Sequence, residues 1–243
     1  MSLSNIFTNF KNSAVDEKSQ QWFKFLEKNN FDFNLIEKIE MSGEFPVVFD
    51  KAGNKFSIDF IHNKQSYAKK KASIKTELIS KAMGGGKHGL QILDLSSGLG
   101  IDAVFLTQLG YAVTALERNP LIYLALNEAL TQKPSLNLKF IFSDALTYLK
   151  NQEIKADVIY FDPMFPEKTK SALPRQEMVF FKNLVGNDND AVDVGQTPIG
   201  LRENLVLQVL RQQRVNGDGH FFPLGSSAAV RMLRDPGAEI RLQ

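Results

Sequence analysis

Cysteine is absent from all 243 residues, which excludes disulfides and thiolate metal sites and suits a reducing compartment. Histidine is scarce, and His62, His88 and His220 are scattered, so a zinc site has little to build on. No apolar run reaches the roughly 18 residues that a membrane-spanning helix needs. The opening stretch MSLSNIFTNFKNSAVDEKSQ lacks the apolar centre of a signal peptide. A cytoplasmic protein, with no metal and no membrane partner, is the expectation. A charge excess is lacking too: the net charge of +2 gives no bulk argument for a polyanionic partner.

What is present is an ordinary globular composition, 43% hydrophobic and 23% charged, in a chain long enough to bury a sizeable core. EKSQQWFKFLEK (residues 17–28) reads as an amphipathic helix with Trp22, Phe23 and Leu26 on one face. FPVVFDKAGNKFSIDF reads as a hairpin around Lys51–Asn54. These predict a small α+β subdomain over residues 1–62. Residues 73–83 look helical, and Gly84-Gly85-Gly86 stops them.

From Leu90 the pattern alternates: LQILDL, a helix over 102–109, AVTALE, the helix PLIYLALNEALTQ, LKFIFS, the helix ALTYLKNQ, then ADVIYFD. Strand–helix alternation at this spacing implies a Rossmann-like, doubly wound α/β fold with a mostly parallel sheet, over residues 63–193. Ligands bind such sheets beyond the carboxyl ends of the strands, where the chemically interesting residues collect.

The first strand end reads DLSSGLGIDA. Gly98 and Gly100 allow a sharp turn and close approach to a ligand, although a glycine pair in a plain turn looks the same. Gly98-x-Gly100-x-x-Ala103 fits a dinucleotide fingerprint. Asp94 inside the strand and the extra Ser96-Ser97 argue against NAD. That layout suits S-adenosylmethionine, with Asp94 near its ammonium directly or through water. Glu117, ending the second strand, can accept from both ribose hydroxyls, or be a surface acid. Asp144, after the third strand, can accept from an adenine amino group, cap the helix that follows, or do both.

The fourth strand runs into Asp162-Pro163-Met164-Phe165-Pro166. Methyl transfer to an exocyclic amine needs acceptors for its N–H protons; Asp162 and the Pro163 carbonyl supply them, and Phe165 offers a face for an unstacked base. The plainer alternative is a proline-rich turn capped by Asp162. Lys64, Lys69, Lys70, Lys71 and Lys75 cluster around Tyr67, a set that suits RNA or DNA phosphates or simply a solvated helix face.

The order Asp94, Gly98-x-Gly100, Glu117, Asp144, Asp162-Pro163-Met164-Phe165 resembles a class I S-adenosylmethionine-dependent amino-methyltransferase. More narrowly, DLSSGLGIDAVFL, LERNP, YFDPMFPEKTKSAL and EMVFFKNLVG resemble the RsmJ family, which methylates the N2 amino group of a guanine in bacterial small-subunit ribosomal RNA. The likeness runs from about Phe56 to Ala191. It implies a cofactor site of Asp94, Gly98, Gly100, Asp102, Glu117, Arg118 and Asp144. By the same likeness Asp162, counted also among the cofactor contacts, would face the guanine with Pro163 and Phe165, and Lys168, Lys170 and Ser171 would lie beside the RNA. The basic cluster adds Lys69, Lys70, Lys71 and Lys75 as candidate RNA contacts, in a segment that keeps the family's basic character but not its glycines. Other readings are a DNA or other amino-methyltransferase, a non-catalytic RNA-binding relic of the fold, and, more remotely, an NAD oxidoreductase.

Residues 194–243 depart from that likeness. All 21 lysines lie at or before Lys182, whereas six of the eight arginines lie at or after Arg202. Folding demands do not explain such a switch, because a basic surface position accepts either type. The segment shows one helix-like stretch, ENLVLQVLRQQ, and little clear strand. The expectation is a non-homologous or frame-altered ending, leaving a sheet without its closing strands and with an exposed edge. An ordinary divergent C-terminus is the alternative.

Overall fold

In the computed structural model the described residues are 6–8, 13–41, 43–62, 89–161, 180 and 184, together with five strands between residues 205 and 240. Strand–helix alternation from Gln91 builds the main sheet. Its strands are β5 (Gln91–Asp94), β6 (Ala112–Glu117), β7 (Leu138–Phe142), β8 (Val158–Phe161), β9 (Leu205–Leu210), β12 (Ala229–Leu233) and β13 (Glu239–Ile240). They lie in the order β13-β12-β9-β8-β5-β6-β7. From β7 to β9 every pairing is parallel, and β12 then runs antiparallel to β9. The chain leaves β5 toward β6 and β7, then crosses back to lay β8 on the other side of β5. The crevice beyond the carboxyl ends of β5 and β8 is therefore the topological switch point, where this architecture binds its ligands.

The residue pattern explains the layers. All four β8 residues are buried, as a parallel strand covered on both faces requires. Alternate β8 side chains enter different cores: Val158 and Tyr160 pack with Ile92, Leu106 and Leu126, whereas Ile159 and Phe161 pack with Leu93, Leu95 and Leu116. Each fully buried aliphatic side chain contributes about 1.5–3 kcal/mol through the hydrophobic effect. Helices α2 (Ile101–Gln108) and α3 (Pro120–Thr131) contribute to the first core, and Leu146 and Leu149 of α4 (Ala145–Asn151) to the second.

The N-terminal residues form α1 (Ser13–Lys28) and a small sheet, β1 (Phe7–Thr8), β2 (Lys38–Glu40), β3 (Val47–Phe49) and β4 (Lys55–Phe56), in chain order. The expected hairpin is β3–β4. Asp50 Oδ1 accepts from the amides of Ala52 and Asn54, and Gly53 takes φ +80° in its turn. Trp22, Leu26 and Val48 belong to the same continuous core as Leu126 and Phe140. Phe25 stacks on Tyr123 at 5.6 Å, and Lys18 pairs with Glu128 at 2.7 Å, fastening α1 to α3.

Two features differ from the sequence reading. Strands β1 and β2 were not expected; at two and three residues they are too short to display a period. The larger correction is C-terminal. ENLVLQVLRQQ contains no described helix, and Leu205–Leu210 is a strand pairing with β8, Val158 opposite Leu205. With β12 and β13 beyond it, the sheet does not lack closing strands and β8 is not an edge. Leu-Val-Leu-Gln-Val-Leu is apolar at nearly every position, a pattern shared by interior strands and buried helices, so periodicity alone misassigns it. A separate two-stranded ribbon pairs β10 (Gln213–Val215) with β11 (Phe221–Pro223). The helix expected over 73–83 lies outside the described residues.

Candidate active site

Asp94 is the last residue of β5 and only 1% exposed. Its Oδ1 accepts from the Ser96 amide at 2.9 Å, turning the chain out of the strand. The Ser97 amide then donates to the Leu116 carbonyl of β6, and the Gly100 amide closes back on the Ser97 carbonyl at 2.8 Å. Gly98 (φ +52°) and Gly100 (φ +72°) both occupy the left-handed region that favours glycine. At Gly100 there is a second reason. A Cβ there would stand 2.8 Å from Leu126 Cδ2 and 3.3 Å from the ring tips of Phe60 and Phe140. The crowding at Gly100 is thus with the protein core, so that glycine serves the packing of the loop onto α3 and β7.

Glu117 ends β6 and is 5% exposed, buried despite its charge. Its Oε1 accepts from the Asn119 amide at 2.7 Å. Asn119 in turn caps α3, its Oδ1 accepting from Leu121 and Ile122, with Pro120 in the first turn. Arg118 between them is half-buried. The Ser143 amide donates to the Glu117 carbonyl, which draws the third strand end onto the second. Asp144 caps α4 through the Thr147 amide at 2.7 Å. Asp102 stands in the first turn of α2, and its Oδ2 accepts from the Tyr160 hydroxyl at 2.6 Å.

Asp94, Gly98, Gly100, Asp102, Glu117, Arg118 and Asp144 therefore gather at the carboxyl ends of β5, β6 and β7. Strand β8 ends at Phe161, one residue before Asp162. Asp162, Pro163, Phe165, Lys69, Lys70, Lys71, Lys75, Lys168, Lys170 and Ser171 lie outside the described residues. Sequence reasoning passed over Asn119 and Tyr160. An Asn directly before a helix-opening Pro was a legible capping signal, whereas a tyrosine in an apolar strand carries no visible sign of its partner.

Residues 20–207 match a protein family described as "Putative SAM-dependent methyltransferase". A ribosomal RNA small subunit methyltransferase J of Bdellovibrio bacteriovorus is 44% identical over 187 residues, which cover 73% of this chain and 73% of that protein. The chain belongs to the RsmJ family. Its relative of the same name in Pseudoalteromonas translucida is 32% identical over 191 residues, 70% of this chain and 76% of that one. The crystal structure of a SAM-dependent methyltransferase from Neisseria gonorrhoeae superposes with a TM-score of 0.62 over 96% of both chains at 19% identity, so the fold is shared over nearly the whole length.

The donor set fits S-adenosylmethionine, the cofactor of the family. The ligand is a cation with an ammonium, two ribose hydroxyls and an adenine edge, and buried carboxylates on adjacent strand ends match that chemistry. Ser97 Oγ is buried with no hydrogen-bond partner among the described residues, an atom that a bound polar group can satisfy. No helix among the described residues is long and apolar enough to cross a membrane.

Proposed function

We propose that this protein methylates the exocyclic N2 amino group of a guanine in bacterial small-subunit ribosomal RNA. The observation that carries the reading is the placement of β8 at the centre of the sheet, beside the carboxylate-tipped β5, leading directly into Asp162-Pro163-Met164-Phe165. S-adenosylmethionine supplies a methyl group already activated on a sulfonium. The chain then has mainly to position reactants, and no strong base or metal is required of it.

In this reading Asp94, Asp102 and the Gly98–Gly100 loop hold the methionine end of the cofactor, Glu117 with Arg118 the ribose side, and Asp144 the adenine. Asp162 and the Pro163 carbonyl accept the guanine N–H groups and orient the nitrogen lone pair. Phe165 stacks on the base after it leaves its helix. Lys69, Lys70, Lys71, Lys75, Lys168 and Lys170 neutralise phosphates, and Ser171 adds a hydrogen bond.

The test is transfer from isotopically labelled S-adenosylmethionine to small-subunit RNA and to assembled subunits, followed by nucleoside analysis. N2-methylguanosine is the expected product. Asp162→Ala should retain cofactor binding and lose transfer. Label on adenine, on cytosine or on DNA identifies another amino-methyltransferase. Cofactor binding with no transfer to any nucleic acid identifies a relic of the fold.

A further inference from the structure

Tyr160 holds the glycine loop at both ends. Its carbonyl accepts from the Leu95 amide at 2.9 Å, where the loop leaves β5, and its hydroxyl donates to Asp102 Oδ2 at 2.6 Å, just after the loop enters α2. The residue is 1% exposed and pairs directly with Asp94 across the β5–β8 ladder. A phenylalanine would supply the same apolar ring to the core, so packing does not explain the hydroxyl. The distance is that of a charge-assisted O–H···O⁻ bond. Such a bond fixes the Asp102 rotamer and leaves Oδ1 as the acceptor for a ligand. Asp162 follows Tyr160 by two residues in the sequence, just past the end of β8 at Phe161, so the anchor of the loop lies on the strand that leads to the proposed acceptor group.

We propose that Tyr160 is a positioning residue for the cofactor, acting through Asp102. The inference rests on the reading that Asp102 and the glycine loop hold S-adenosylmethionine. It is tested by calorimetric titration of S-adenosylmethionine and S-adenosylhomocysteine into the wild type, Tyr160→Phe, Asp102→Ala and the double variant. Urea denaturation of each reports stability separately. Tyr160→Phe should raise both dissociation constants about tenfold, the scale of one lost hydrogen bond to a charged group. In the Asp102→Ala background the same change should shift them less than about twofold, because its route of action is gone.

Wild-type protein that binds neither ligand, or Asp102→Ala that binds as well as wild type, overturns the underlying site and the inference with it. Asp102→Ala that weakens binding beside an unaffected Tyr160→Phe overturns the role of Tyr160 alone. Effects that simply multiply in the double variant show a route other than Asp102 and also overturn it. A Tyr160→Phe protein that fails to fold makes the hydroxyl a structural group and ends the proposal.

Discussion

The side-chain amide of Asn119 donates to the carbonyl of Leu184, 3.0 Å away and 65 residues along the chain. The same residue caps α3 with Oδ1 and gives its backbone amide to Glu117. One residue, through its backbone amide and both ends of its side chain, thus joins the end of β6, the start of α3 and the segment that follows the fourth strand end.

Two substitutions separate these roles. Asn119→Ala removes cap and tether and should cost about 1–3 kcal/mol, an N-cap being worth about 0.5–2 and a neutral hydrogen bond about 1. Asn119→Asp keeps the capping oxygen but cannot donate to Leu184, so it should lose much less in urea unfolding. Equal losses would assign the stability to the tether and leave the cap idle.

Gly100→Ala should damage the fold. A left-handed alanine costs about 1–2 kcal/mol, and the 2.8 Å approach to Leu126 adds an overpacking penalty of about 1–3 kcal/mol. Combining Gly100→Ala with Leu126→Ala should recover part of the second cost and none of the first. Thermal unfolding of the pair checks this, and a single variant as stable as wild type would refute the crowding.

Glu117→Ala should weaken S-adenosylmethionine by about 1–3 kcal/mol, the cost of leaving buried partners unsatisfied. Calorimetry reads the loss directly. Unchanged affinity would remove Glu117 from the ribose.

The lysines predict a salt effect. Replacing Lys69, Lys70 and Lys71 together should flatten the log–log dependence of RNA affinity on salt by roughly 2, at about 0.7–0.9 per phosphate contact. Cofactor affinity should not move. An unaltered slope would return the cluster to a solvated helix face.

The C-terminal strands predict a dependence of the core on residues far from the strand ends. A chain ending at residue 204 leaves β8, buried at all four positions, as a sheet edge. It should unfold at lower urea than the full chain and self-associate in light scattering, as exposed apolar edges do. A truncated protein as stable and monodisperse as the full chain would show that β9, β12 and β13 contribute nothing to it.

Much of the architecture was legible because its signals are local. Ala112–Glu117 ends where its carboxylate does, and the boundary of α3 follows from Asn119-Pro120. Asp144 proved to be the cap that its position before ALTYLK suggested. What could not be read is what depends on distant partners. The burial of Gly100 against Phe60, Leu126 and Phe140 joins four separated stretches, and the Tyr160–Asp102 bond spans 58 residues. Strand β9 failed for a related reason: its apolar run acquires a meaning only beside β8.

The pairing of Asp94 with Tyr160 sets a schedule as well as a geometry. A ribosome adding about 5–20 residues per second needs roughly 3–13 seconds to pass from one to the other. Through that interval β5 can pair with β6 on one side while its other edge waits. The glycine loop cannot be clamped until β8 has emerged, so the crevice at the switch point is among the later parts of the nascent chain to take shape, and a pause in synthesis between them would prolong the exposure of that edge.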